Sequence, residues 1–156
     1  MRLSLRSILP LVFVLALIAW ALLPFVDKLT VRWFVRDLDI RSQLIANTIN
    51  DSLAELVKTD SRAKVLRFFN AAVKDERLYA LGFCDLKNEL RFKTDTFPTA
   101  YGCTFEPIRK QENGTVVELL KGPLHVAAHD IIGDQGVLGR LILVHDMSFI
   151  ERRSAD

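Results

Sequence analysis

The sequence predicts an α+β protein. An N-terminal transmembrane helix runs into a long helix; a second helix and a five-stranded antiparallel sheet follow, with the helices on one face. Three observations carry this. Residues 8–26, "ILPLVFVLALIAWALLPFV", hold no charge. Residues 27–58 contain neither Gly nor Pro and repeat apolar residues at helical spacing. From Leu78 onward the period changes to two, with Gly, Pro, Asn and Asp at the breaks.

The apolar run would span about 28 Å as a helix, close to the ~30 Å hydrocarbon core of a bilayer. Trp20 lies near its outer end, where interfacial aromatics gather. Pro10 falls in the first turn, where a missing N–H costs little, and Pro24 can kink the exit. A cleaved signal peptide is the rival reading: Arg2 and Arg6 make a basic start, and Ala19-Trp20-Ala21 fits a cleavage site. "LLPFV" continues the apolar run past that site, which favours an uncleaved anchor. Either way the rest of the chain crosses the membrane. Basic residues flank the run on both sides, so charge alone does not orient it.

In the long helix Leu38, Ile45, Ile49, Leu53 and Leu56 form a stripe along one face. That stripe packs either on its own domain or against the same helix of a second copy. Asp60 or Ser61 can cap the second helix, whose buried face is Val65, Leu66, Phe69, Ala72 and Val73. Strands are expected at 78–84 and 89–93, joined by the polar turn Asp85-Leu86-Lys87-Asn88. A Pro-, Gly- and Thr-rich connection follows over 95–114, and its length suggests a functional or disulfide-pinned loop. Three more strands are expected at 115–120, 124–132 and 137–144, with turns at 121–123 and 133–136. Ser148 stands three residues before Glu151, the capping-box spacing, so a helix begins there. It is either a short terminal helix or the lead into a longer protein. The expected organisation is a cytoplasmic N-terminus and anchor over 1–26, an extracytoplasmic domain over 27–146, and the start of an exit helix over 147–156.

Charge is mixed along the chain and the net charge is only +2 over 156 residues, without the basic stripe of a nucleic-acid binder. Glycine-rich phosphate loops, H-E-x-x-H and G-x-S-x-G are absent from the sequence, so neither an enzyme, a cofactor nor a metal is expected. His125 and His129 share a strand face about 13 Å apart, too far to hold one metal; with His145 they read as ordinary sheet histidines. Cys84 and Cys103 are the only cysteines. In an exported domain two cysteines read as one bridge, here between a strand end and the irregular loop; buried free thiols are the alternative.

The order of parts resembles the PAS-like or Cache-type extracytoplasmic sensor domains of bacterial receptors. The hairpin "GFCDLKNELRFKT" and the closing strand "GVLGRLILVHD" carry the likeness. Such hairpins commonly turn on D-x-x-G, and Asn88 stands here where Gly is usual; Asn tolerates the left-handed conformation. A narrower resemblance, in "RDLDIRSQLIANTI", "DERLYALGFCD" and "LVHDMSFIERRSAD", is to the N-terminal sensor region of some proteobacterial trehalose-6-phosphate synthases. It implies a second membrane helix and a cytoplasmic region beyond residue 156. No glycosyltransferase site residue is present. The resemblance implies a sensory input domain with the lipid bilayer and an unknown small molecule as partners. A homodimer through the long helix is a further expected partnership; nucleic acid is not. Tyr79, Phe92, Tyr101 and His125 are the candidate ligand-binding residues, expected to line a pocket between the sheet and the long loop. The competing expectation is a membrane assembly module that binds nothing small.

Overall fold

The computed structural model describes residues 5–75, 78–109, 114–119 and 122–148. The chain divides into two compact units, Met1–Phe34 and Val35–Asp156. One helix, α1 (Leu5–Lys58), supplies the described part of the first unit and opens the second.

In the first unit, apolar side chains from Leu11 to Trp20 are exposed on every side of the helix. Among the described residues no helix is long and apolar enough to cross a membrane. Side chains at 8, 9 and 22–26, which belong to the apolar run read from the sequence, lie outside those described.

In the second unit α1 buries Leu38, Ser42, Ile45, Ala46, Leu53 and Ala54, with Ile49 and Leu56 half-buried beside them. The apolar stripe thus packs on its own sheet. The chain breaks at Asp60, whose φ of 47° lies in the left-handed region. α2 (Arg62–Asp75) then starts, and the Ser61 carbonyl accepts the N–H groups of Lys64 and Val65. Ser61, the second of the two capping candidates, directly precedes the helix, and the Asp60 side chain reaches across to Arg91 at 2.8 Å. Val65 and Phe69 are the fully buried residues of α2.

The strands are β1 (Ala80–Asp85), β2 (Leu90–Lys93), β3 (Thr115–Leu119), β4 (Gly122–Gly133) and β5 (Gly136–Asp146). They form one antiparallel sheet in the order β2-β1-β5-β4-β3, so the last strand closes between the first and the fourth. In the β1–β2 turn the Asp85 carboxylate accepts the N–H groups of Lys87 and Glu89, and Asn88 takes φ 61°. Asn there satisfies the left-handed position that Gly would otherwise occupy.

Alternation along the strands separates two cores. Leu81, Phe83, Phe92, Ile131, Leu141 and Leu143 face α1 and α2. Ala80, Cys84, Leu124, Val126, Ile142 and Val144 face the long loop. The helices are not confined to one face. The loop side carries a short 3-10 turn, Thr99–Tyr101, and α3 (Glu106–Arg109), whose Ile108 enters the second core. The helix expected after Ser148, with its Glu151 partner, lies outside the described residues.

Candidate functional site

On the loop-covered face, Cys84 of β1 is disulfide-bonded to Cys103, with Cα atoms 5.7 Å apart. The bond ties the middle of the loop to the sheet. A second tie comes from Phe97. A Cβ built on Gly82 would meet the Phe97 ring at 2.5 Å, so the ring lies on the strand where the side chain is missing. Thr96 Oγ1 donates to the Tyr79 carbonyl at 2.6 Å, and Tyr101 Oη donates to the Glu118 carbonyl at 3.2 Å. Tyr101 packs edge-on against Phe105, ring centroids 5.0 Å apart. Arg140 Nη1 donates to the Ile108 carbonyl at 2.8 Å while its Nε faces Asp130 at 3.3 Å. This face thus combines half-buried aromatics with a cation and an anion.

The helix-covered face carries a polar junction. Asp39 of α1 accepts a hydrogen bond from His125 Nε2 of β4 at 2.9 Å and another from the Gly114 N–H at 2.8 Å. Any Cβ on Gly114 would collide with both Asp39 Oδ1 and His125 Nε2, so only glycine lets the backbone enter β3 at this point. One turn on, Ser42 donates to the Asp39 carbonyl at 2.8 Å and meets His129 Nε2 at 3.0 Å. With the hydroxyl hydrogen spent on that carbonyl, His129 is the donor to Ser42. His145 of β5 lies opposite His125, ring centroids 5.7 Å apart.

All three imidazoles are pushed below the ordinary histidine range. Burial lowers His125 most, and the Asp39 carboxylate offsets part of that. Burial likewise lowers His129, against the pull of Asp39 and Asp130. His145 is lowered to about 4, first by burial, then by His125 and Arg41. The arrangement is not a nucleophile–base–acid chain. Asp39 binds His125 whereas Ser42 binds His129, so the two pairs stay separate.

The four ligand residues expected from the sequence do not converge. Tyr79 and Tyr101 border the loop-covered core. Phe92 points to the opposite face and stacks near Phe83, and His125 is fully buried against α1. Strand alternation is the reason: the strand register sends Phe92 and His125 to the helix side of the sheet. Phe92 instead helps line an open cleft of about 320 Å³ at the hairpin end, with Val57, Phe83 and Leu138, and with Asp60, Asp85 and Arg91 as its polar lining. The expected space under the loop is packed by Phe97, Cys103 and Ile108.

Sequence reasoning missed Asp39, Ser42 and Gly114. One signal was present. The apolar stripe skips from Leu38 to Ile45, and the position between them on that face is Ser42, a polar residue where burial was due.

No family model matches the chain, and no curated protein does. Solved structures do. The sensor domain of E. coli DcuS superposes with a TM-score of 0.58 at 14% identity, over 79% of this chain and 99% of that one. The ligand-binding domain of the Campylobacter jejuni chemoreceptor Tlp3, in complex with L-valine, gives 0.52 at 10% identity, over 76% of this chain and 56% of that one. The same receptor's sensory domain with isoleucine bound gives 0.53 at the same identity and coverage. The chain therefore has the mixed α+β, PAS/Cache-like fold of these sensor domains.

Proposed function

We propose that this chain is a membrane-anchored, extracytoplasmic sensory input domain that binds a small molecule and signals through its flanking helices. The carrying observation is the fold shared with the DcuS sensor domain over nearly all of that domain. The Cys84–Cys103 disulfide supports an oxidising, extracytoplasmic setting. The exposed apolar collar from Leu11 to Trp20 supports a lipid setting for the first unit, since such a helix is unstable in water. The narrower sequence resemblance adds a trehalose-6-phosphate synthase context, in which β5 leads through Ser148 towards a second membrane helix and a catalytic region. Reading the gene beyond codon 156 tests that context.

The ligand face of this proposal is the loop-covered one. Tyr79, Tyr101 and Phe105 offer aromatic surface, and Arg140 and Asp130 offer both charges, a combination suited to a small zwitterion such as an amino acid. Binding lifts the Phe97 segment, because Phe97 now fills the space against Gly82. The test is a thermal-shift screen of amino acids and small carboxylates on the full chain in detergent micelles. A binder that raises Tm by several degrees, and whose effect disappears in Tyr101→Ala, is the expected result. A binder lost in Arg91→Ala but kept in Tyr101→Ala moves the site to the hairpin cleft.

The assembly reading has one observation in its favour: Ile40 and Leu44, one turn apart on α1, are 53% and 60% exposed. No binder in the screen, together with a dimer that Leu44→Glu dissolves, replaces the sensory reading with that one.

A further inference from the structure

α1 is held to the sheet near Asp39 by groups that cannot accept charge without leaving. His125 is fully buried and His145 is 7% exposed, and the Nδ1 atom of each is buried without a hydrogen-bond partner among the described residues. His125 has already committed its Nε2–H to Asp39. In the neutral state each orphan nitrogen costs only the desolvation of one uncharged polar group. A second proton changes this. Each ring would then carry a buried N–H with no acceptor, and two cations would face each other at 5.7 Å.

Charged groups around the pair come from several elements. α1 contributes Asp39, which favours charge on His125, and Arg41, which opposes it on His145. Arg41 also pairs with Asp37 on the same helix at 2.7 Å. β4 contributes His129, bonded to Ser42, and Asp130, which is turned to the other face beside Arg140 of β5. Among the described residues, the segment entering β3 contributes the Gly114 N–H, which donates to Asp39. Among the described residues Asp39 is the anion bonded to the cluster, and it already holds two donors.

We propose that this junction is an acid-operated latch: protonating the His125–His145 pair releases the Asp39–Ser42 turn of α1 from the sheet while the sheet itself stays folded. As a latch it stands on the geometry of the junction alone. As a signalling input it rests on the sensory reading above. Opening gives both rings water and an ordinary affinity for protons, so acid favours the open form. The sign follows from linkage. A ring lowered to about 4 when closed and near 6.5 when free holds the latch fully shut above about 6.5, and the hold weakens as pH falls towards 4. The rest of the seam does not depend on these rings: Asn50 clasps the Ile132 backbone through both its amide atoms, and Lys58 pairs with Asp134.

Hydrogen–deuterium exchange on the full chain in micelles, with labelling times scaled for the intrinsic pH dependence, reads the latch directly. Protection of residues 35–48 is expected to fall at least tenfold from pH 7.5 to pH 4.5, with β1 and β5 unchanged. His145→Phe, which keeps the ring volume and the Asp39–His125 bond but removes one of the two rings that take up a proton, is expected to reduce that loss at least threefold. Equal protection at both pH values overturns the latch, and so does a loss shared by β1 and β5, which is acid denaturation. Should His145→Phe fail to fold, nitrogen NMR of the wild-type imidazoles decides. Both rings titrating below the ordinary histidine range supports the latch, and either one titrating at the ordinary histidine value in the closed form overturns it. None of these readouts needs a small ligand, so the sensory reading can fail without the latch, and the latch without it.

Discussion

At the scale of single residues, two glycines mark close approaches on opposite faces of the sheet. Gly114 admits the backbone to the Asp39–His125 bond, and Gly82 gives up its side-chain space to Phe97. Gly82→Ala is expected to destabilise the domain by about 1–3 kcal/mol, because the new methyl overlaps a ring that is itself buried. The shift in denaturation midpoint measures it. Gly82→Ala combined with Phe97→Leu should recover part of the loss, since leucine vacates the ring edge; equal loss in both would mean that the ring is not what the methyl meets. Neither close approach was legible in the sequence. Gly82 reads as an ordinary weak point in a strand, and only the fold brings a phenylalanine from fifteen residues later onto it.

At the scale of elements, the long loop is held by one covalent tie and several weak ones. The cysteines are 19 residues apart in sequence, and closing such a loop restricts the unfolded chain by about 3 kcal/mol on the entropy model. Replacing both cysteines by serine is expected to lower stability by about that amount. Exchange protection should fall mainly over 95–106, with α1 unaffected, because α1 packs on the other face. Uniform loss over the whole domain would place the disulfide's effect in the core. The helix seam is the counterpart on the other face. From Asp39 to Lys58 α1 advances about 28 Å, and from His125 to Asp134 the extended chain advances about 30 Å. The two elements therefore stay in step, and polar contacts recur at Asp39, Ser42, Asn50 and Lys58. The helical stripe was legible from its period. Its partner strand was not, because nothing in a helix's spacing says which of five strands it will cross.

At the scale of the whole molecule, the predicted topology can be read by fusion. A reporter that matures only in the periplasm, joined after Asp146, should be active in a chain retaining residues 1–26. Activity only from a cytoplasmic reporter would reverse the proposed orientation. Mass spectrometry of the membrane-extracted chain should find the N-terminus intact; a start near Asp27 or within 21–26 would make the apolar run a signal peptide instead.

The sequence by itself determined the kind and order of most elements: two helices, a hairpin turning at Asn88, a loop pinned by two cysteines, and three closing strands. Those are local matters of period, turn chemistry and cysteine count, and they are written within a few residues of where they act. The sheet order, which sets β5 between β1 and β4, was decided only in three dimensions. So was the face each side chain meets. A strand's alternation shows that its residues divide into two sets, but not which set meets the helices. That choice sent His125 to Asp39 and Phe92 to Phe83, and left Tyr79 and Tyr101 with the loop. The histidine junction exists for the same reason: its bonds from α1 to β4 join residues 86 and 87 positions apart, and the free energy of burying them depends on every element that closes around them.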